Sequence, residues 1–201
     1  FYRHEPTVEK IHMEEGETWR YFKGTKQPPA SWRAMNFDDS EWDAGPSGFG
    51  YGDNDDMTKL SDMRFYEETA NEPGQPGYLS LFIRRKVQLR NPAEIKQLIF
   101  RVDYDDGFIA YLNGREIARA NLDGVARYNT KAKKGHEAGD PVDFDITKKL
   151  GIIHEGDNIL AIQVHNDKLT SNDLTIIPRL VQRTKLDLPP VKRIKDISSL
   201  Q

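Results

Sequence analysis

"DYDDGFIAYLNGREIAR", residues 103–119, poses the choice on which fold and function both turn. Its acids Asp103, Asp105 and Asp106 suit the active centre of an enzyme, a cation cage, or the turn chemistry of a β-rich binding module. Asn113-Gly114 lies between apolar residues, and both central positions of a type I′ turn require positive φ, which Asn and Gly tolerate best. Phe108 to Arg119 therefore reads as a β-hairpin. Asp105-Asp106-Gly107 reads as a second tight turn ending the preceding strand, with a short carboxylate bonding backbone amides two residues on. On this reading the acids are turn formers first.

On either side of the hairpin, apolar residues recur at period two rather than 3.6, as in Leu81, Ile83, Val87, Leu89 and in Leu98, Phe100, Val102. Further strands are expected at Thr18 to Lys23, Asn158 to His165 and Leu174 to Gln182. Turn-rich connections separate them at Gly45 to Gly48, Asn71 to Gly77 and Gly135 to Pro141. The best helical signal is Asn91 to Ile95, where Asn can cap and Pro sits near the first turn. These patterns predict one all-β domain over residues 14–183, an N-terminal extension over 1–13 and a C-terminal linker over 184–201, whose basic stretch is Lys192 to Lys195.

Composition narrows the function classes. With 32 acids interspersed among 29 bases the net charge is -3, and no basic face of the kind phosphate backbones require is present in the sequence, so nucleic acid is not an expected partner. Cysteine is absent, which excludes disulfides, thiolate zinc sites and cysteine nucleophiles. No apolar run reaches the ~18 residues of a membrane span, and membrane insertion is not expected. Lacking an initiator Met, the chain reads as a processed product or a segment of something longer. There is no G-x-S-x-G elbow, H-E-x-x-H or P-loop, and "GFGYG" lacks the G-x-G-x-x-G spacing. Histidines at 4, 12, 136, 154 and 165 show no metal-ligand spacing.

The ordered set "WRYF" (19–22), "FDDSEWDAG" (37–45), "GFGYGD" (48–53), "LIFRVDYDDGFIAYLNGREIAR" (98–119), "FDITKKL" (144–150), "EGDNILAIQVHN" (155–166) and "SNDLTIIPRL" (171–180) resembles the galactose-binding-like domains. The likeness is above all to the sugar-binding domain at the front of many glycoside hydrolases and its relatives in bacterial surface proteins. It implies an antiparallel β-sandwich of jelly-roll type, with many short strands between Gly- and Pro-rich turns. Hydrolases of that kind continue into a catalytic barrel and this sequence stops far short of one, so the resemblance implies a non-catalytic module. It also implies a structural calcium near an early loop. The run Asp53-Asn54-Asp55-Asp56 supplies oxygens of the right kind, since calcium takes six to eight of them. That run is no EF-hand, because the sixth and twelfth positions from Asp53 are Thr58 and Arg64 where Gly and Glu belong. A plain solvated acidic loop is the rival reading.

For a sugar, Trp32 and Tyr104 are the stacking candidates, because pyranose CH faces dock on flat apolar surfaces. Trp19 and Trp42 sit in strand-like stretches and are assigned to packing, whereas Trp32 lies in the looser Pro29 to Arg33. Asp105, Asp106, Arg119, Asn121, His165, Asn166, Asn172 and Asp173 are the candidate donors and acceptors, and spacing does not say whether their loops share one rim. The expected function is a non-catalytic carbohydrate-binding accessory module of a larger secreted or cell-surface protein, extracellular, on a bacterial surface or periplasmic. Its expected partners are carbohydrate and the neighbouring domains of a longer chain. The alternatives are a structural or protein-interaction domain that positions its neighbours, and a glycoside hydrolase with an unrecognised carboxylate pair.

Overall fold

The computed structural model describes residues 6–53, 56–65 and 77–186. Asn54, Asp55, most of the 71–77 connection and the expected linker beyond residue 186 lie outside the described residues. The rest is an all-β sandwich of two six-stranded sheets. The first sheet orders β10 (Val142–Asp145), β7 (Leu98–Asp105), β12 (Leu174–Lys185), β4 (Phe49–Tyr51) and β5 (Thr58–Lys59), with β1 (Thr7–Met13) also on β12. The second orders β3 (Asp43–Pro46), β2 (Thr18–Lys23), β6 (Ser80–Leu89), β11 (Gly156–His165), β8 (Gly107–Leu112) and β9 (Arg115–Ala120). Every pairing is antiparallel except the short β4–β5 contact.

Alternation along the strands builds the core. Leu81 and Ile83 of β6, Leu160 and Ile162 of β11 and Phe108 of β8 point inward to meet Phe100, Val102, Ile176 and Leu180 of the other sheet. The opposite faces of the two sheets differ sharply. On the first sheet it is charged: Glu9, Arg101, Asp143 and Arg183 form one network of ion pairs across β1, β7, β10 and β12. On the second it is apolar: Phe82, Ile109, Tyr111, Ile159 and Ala161 form a second cluster with Trp32 and Trp42. Strand β8 is thus buried on both faces, which explains its unbroken run Phe108-Ile109-Ala110-Tyr111-Leu112.

The cover over that second face is the segment after β2. A 3-10 helix, Ala30–Arg33, drops Trp32 onto Phe82 and Tyr111. Arg84, only 2% exposed, donates to the carbonyls of Ala34 and Phe37 and pairs with Asp39, tying the cover to β6. Burying each large side chain of this layer contributes about 1.5–3 kcal/mol.

Several expectations need correction. Residues 7–13 are a strand and no extension: Val8 pairs with Thr184, Ile11 with Val181, and Met13 is buried in the core. Likewise β12 runs on to Lys185, past the expected linker boundary at 184, because β1 gives its last residues a partner. The Asn113-Gly114 hairpin stands as read, with φ of 50° and 78°. Asp105 to Gly107, by contrast, closes no hairpin, since β7 and β8 belong to different sheets and the segment crosses between them. Pro92–Glu94 is a single 3-10 turn, and Asn91 precedes it in the left-handed region without a side-chain cap.

Candidate functional site

Strand register brings one group of candidates together. Thr175 faces Asp105, Leu174 faces Tyr51, and His165 faces both Gly107 and Ser80, so these strand ends form one rim of the sandwich. Asp105, Asp106, Asn121, His165, Asn166, Asn172 and Asp173 all gather there, Asn121 by donating its amide to the carbonyl of Asp106 at 2.8 Å.

The acids of the opening stretch do hold backbone amides, but remote ones. Asp106 Oδ1 accepts from His136 N–H and Oδ2 from Asp167 N–H, both at 2.7 Å, while Asp103 Oδ1 accepts from Gly139 N–H at 2.9 Å. His136 also stacks on Tyr104, 4.1 Å between ring centroids, and donates from Nδ1 to the Tyr104 carbonyl. Tyr104, expected as a sugar platform, therefore has one face covered by its own chain. These contacts clamp the loop between β9 and β10 across the rim.

That loop delivers Glu137. Carboxylate oxygens of Asp105, Glu137 and Asp173 lie within 4.8 Å of one another. Asp105 is 3% exposed and its Oδ1 has no hydrogen-bond partner. Burial first, then the charges of Asp106 and Asp173, push its carboxyl up to about 9. Asp173 is also pushed up, by burial, then by Glu137 and Asp53. The arrangement is chemically suited to a hard cation, whose charge relieves the crowding.

Of the run expected to hold the metal, Asp53 and Asp56 are the described residues. Asp53 is exposed and accepts from the Thr175 hydroxyl at 3.2 Å, whereas Asp56 is buried over Gly50. A Cβ at Gly50 would meet the Leu174 carbonyl at 1.8 Å and the Asp56 carboxylate at 2.6 Å, which accounts for this glycine of "GFGYG". His165 is buried with Nδ1–H donating to the Thr130 carbonyl, and burial lowers its pKa to about 4. Asn166 donates to the Tyr51 hydroxyl, 2.9 Å away.

Trp32 and Arg119 lie elsewhere, at a hollow of about 400 Å³ on the apolar face of the second sheet. Trp32 is 3% exposed, stacked on Trp42 and met edge-on by Phe82 and Tyr111, so it is floor and not a free platform. Beside it stand Tyr111 and Gln163, whose amide donates to the Tyr111 hydroxyl at 3.0 Å. Arg33, Glu116, Arg119 and Arg127 make the walls. Arg119 grips Glu116 through two bonds of 2.6 Å and also holds the carbonyls of Leu122 and Gly124, fixing the loop that closes one side.

Sequence reasoning missed Glu137, Arg33, Tyr111, Gln163 and Arg127 as site residues. Tyr111 had a signal, since an apolar strand with no polar face must be covered on both sides. Glu137 had none, for a polar loop carries no period.

No known family model matches the chain, and neither does any curated protein. Solved structures do resemble it. A calcium-binding mutant of β-glucuronidase 2 from Bacteroides uniformis superimposes over 88% of this chain with a TM-score of 0.56 and 16% identity. A β-glucuronidase from an uncultured Clostridium sp. covers 90% with a TM-score of 0.50 and 16% identity, and a glycosyl hydrolase family 2 member from Bacteroides cellulosilyticus covers 88% with 0.50 and 15%. This chain spans only 18%, 30% and 21% of those three proteins. At such identities the likeness is one of fold: the β-sandwich here is a unit that also occurs inside much larger glycosidase chains.

Proposed function

We propose that this chain is a non-catalytic carbohydrate-binding module of the galactose-binding-like, jelly-roll class, an accessory domain of a larger secreted or cell-surface protein. The observation that carries the reading is the hollow on the second sheet, an aromatic floor with a ring of polar side chains in a volume within the ~300–1,000 Å³ typical of small-ligand sites. Tyr111 and Gln163 offer a hydroxyl and an amide at its base, groups matched to sugar hydroxyls. The β-glucuronidases of like fold supply the context of a carbohydrate-processing parent. Calcium enters as a stabilising ion at Asp105, Glu137 and Asp173, supported by the buried, unpartnered Asp105 oxygen among three converging carboxylates. Asn121, His165 and Asn166 then serve as the frame of that rim.

A glycan array followed by calorimetry tests the sugar site. The chain should bind at least one glycan class, and Tyr111→Phe or Gln163→Ala should weaken that binding about tenfold with an unchanged circular dichroism spectrum. An array with no binding, or variants that bind as tightly as the parent, would overturn the assignment.

A further inference from the structure

The charge around the hollow narrows the class of sugar. The whole chain carries -3, yet three arginines face one glutamate here. Arg119 and Glu116 satisfy each other, and the remaining Arg119 contacts go to backbone carbonyls, so this pair adds no net charge. Arg33 lies over the Tyr111 ring, 4.5 Å from its centroid. Among the described residues, neither Arg33 nor Arg127 has a carboxylate within 4.0 Å. Arg127 is anchored through its backbone, its N–H donating to the Thr130 hydroxyl at 2.8 Å, while its side chain is exposed. Two guanidinium groups outside ion-pair distance of any described carboxylate thus flank an aromatic-floored hollow, Arg33 also lying in the field of Glu116. A guanidinium is a planar fork of donors that matches the paired oxygens of a carboxylate or a sulfate.

Resting on the carbohydrate-binding reading above, we infer that the hollow takes an acidic sugar, one bearing a carboxylate or a sulfate, with Arg33 and Arg127 as the anion-recognising pair. Neutral sugars would leave both cations facing solvent and gain only the contacts to the floor. An acidic ring places its anion between the two arginines while Tyr111 and Gln163 meet its hydroxyls.

Calorimetry on the full chain distinguishes this from the broader reading. Four probes are compared: a uronic-acid oligosaccharide, its methyl ester, a sulfated oligosaccharide and a neutral one. Binding of the uronate or sulfated probe should exceed that of the ester and the neutral probe about tenfold or more, and should weaken as salt rises. Arg127→Gln, on an exposed side chain, and Arg33→Gln should each remove most of that preference. Equal affinity for the uronate and its ester overturns the acidic-sugar inference and leaves carbohydrate binding standing. A preference that survives both arginine variants places the anion elsewhere and overturns it too. No affinity for any probe overturns both readings together.

Discussion

Single residues at the rim divide between scaffold and chemistry. Asp106, with both oxygens on backbone amides of distant loops, holds the rim in shape, and His165 does the same from inside the sandwich. The depressed pKa of His165 has a pH signature. Between 6.5 and about 4 the unfolded chain binds a proton that the folded one refuses, so stability is fully present above pH 6.5 and lost as pH falls through that window. The effect is at most about 3 kcal/mol. In His165→Gln the acid limb of a stability-against-pH curve should be shallower, and a limb of unchanged slope would show that His165 is not the group. Asp105 carries the calcium reading. Calcium should raise the melting temperature of the parent relative to chelator, and Asp105→Asn should lose that response. If parent and variant melt alike with and without calcium, the three carboxylates hold no ion.

Among the elements, β1 was the least legible and matters most. "TVEKIHM" alternates weakly and is mostly exposed, because Glu9 joins the charged network, Val8 and Ile11 stay exposed, and only Met13 reaches the core. Nothing local separates such an edge strand from a polar tail. Removing residues 1–13 tests its place: the shortened chain should lose about 2–5 kcal/mol in denaturant unfolding, from the buried Met13 and the exposed flank of β12. Unchanged stability would return those residues to the status of an extension. The short strands β3, β4, β5 and β10 were missed for a related reason, as two to four residues, broken by Gly, Pro or Asp in all but β5, give a period-two pattern no room. The long central strands were read nearly to the residue: Thr18–Lys23 was expected as such, and β11 begins two residues before the expected Asn158.

At the scale of the whole molecule, the sandwich was legible because inward and outward residues alternate over long strands. The inversion of its two outer faces was not. Burial of Trp32 depends on a covering segment that Arg84 holds from another strand, and the acids of residues 103–106 find their amides some 30 to 60 positions away. Such long-range pairings leave no trace in spacing, which is why Asp105 and Asp173 were named while Glu137, their third partner, was not. The pairing of β1 with β12 carries one more consequence. Thr7 lies beside Lys185 and the Leu186 amide donates to the Pro6 carbonyl, at the end of β12 remote from the acidic rim. The described residues therefore begin and end at adjacent points on one pole, so a unit built this way can be spliced into a surface loop of another protein with little displacement of the flanking segments.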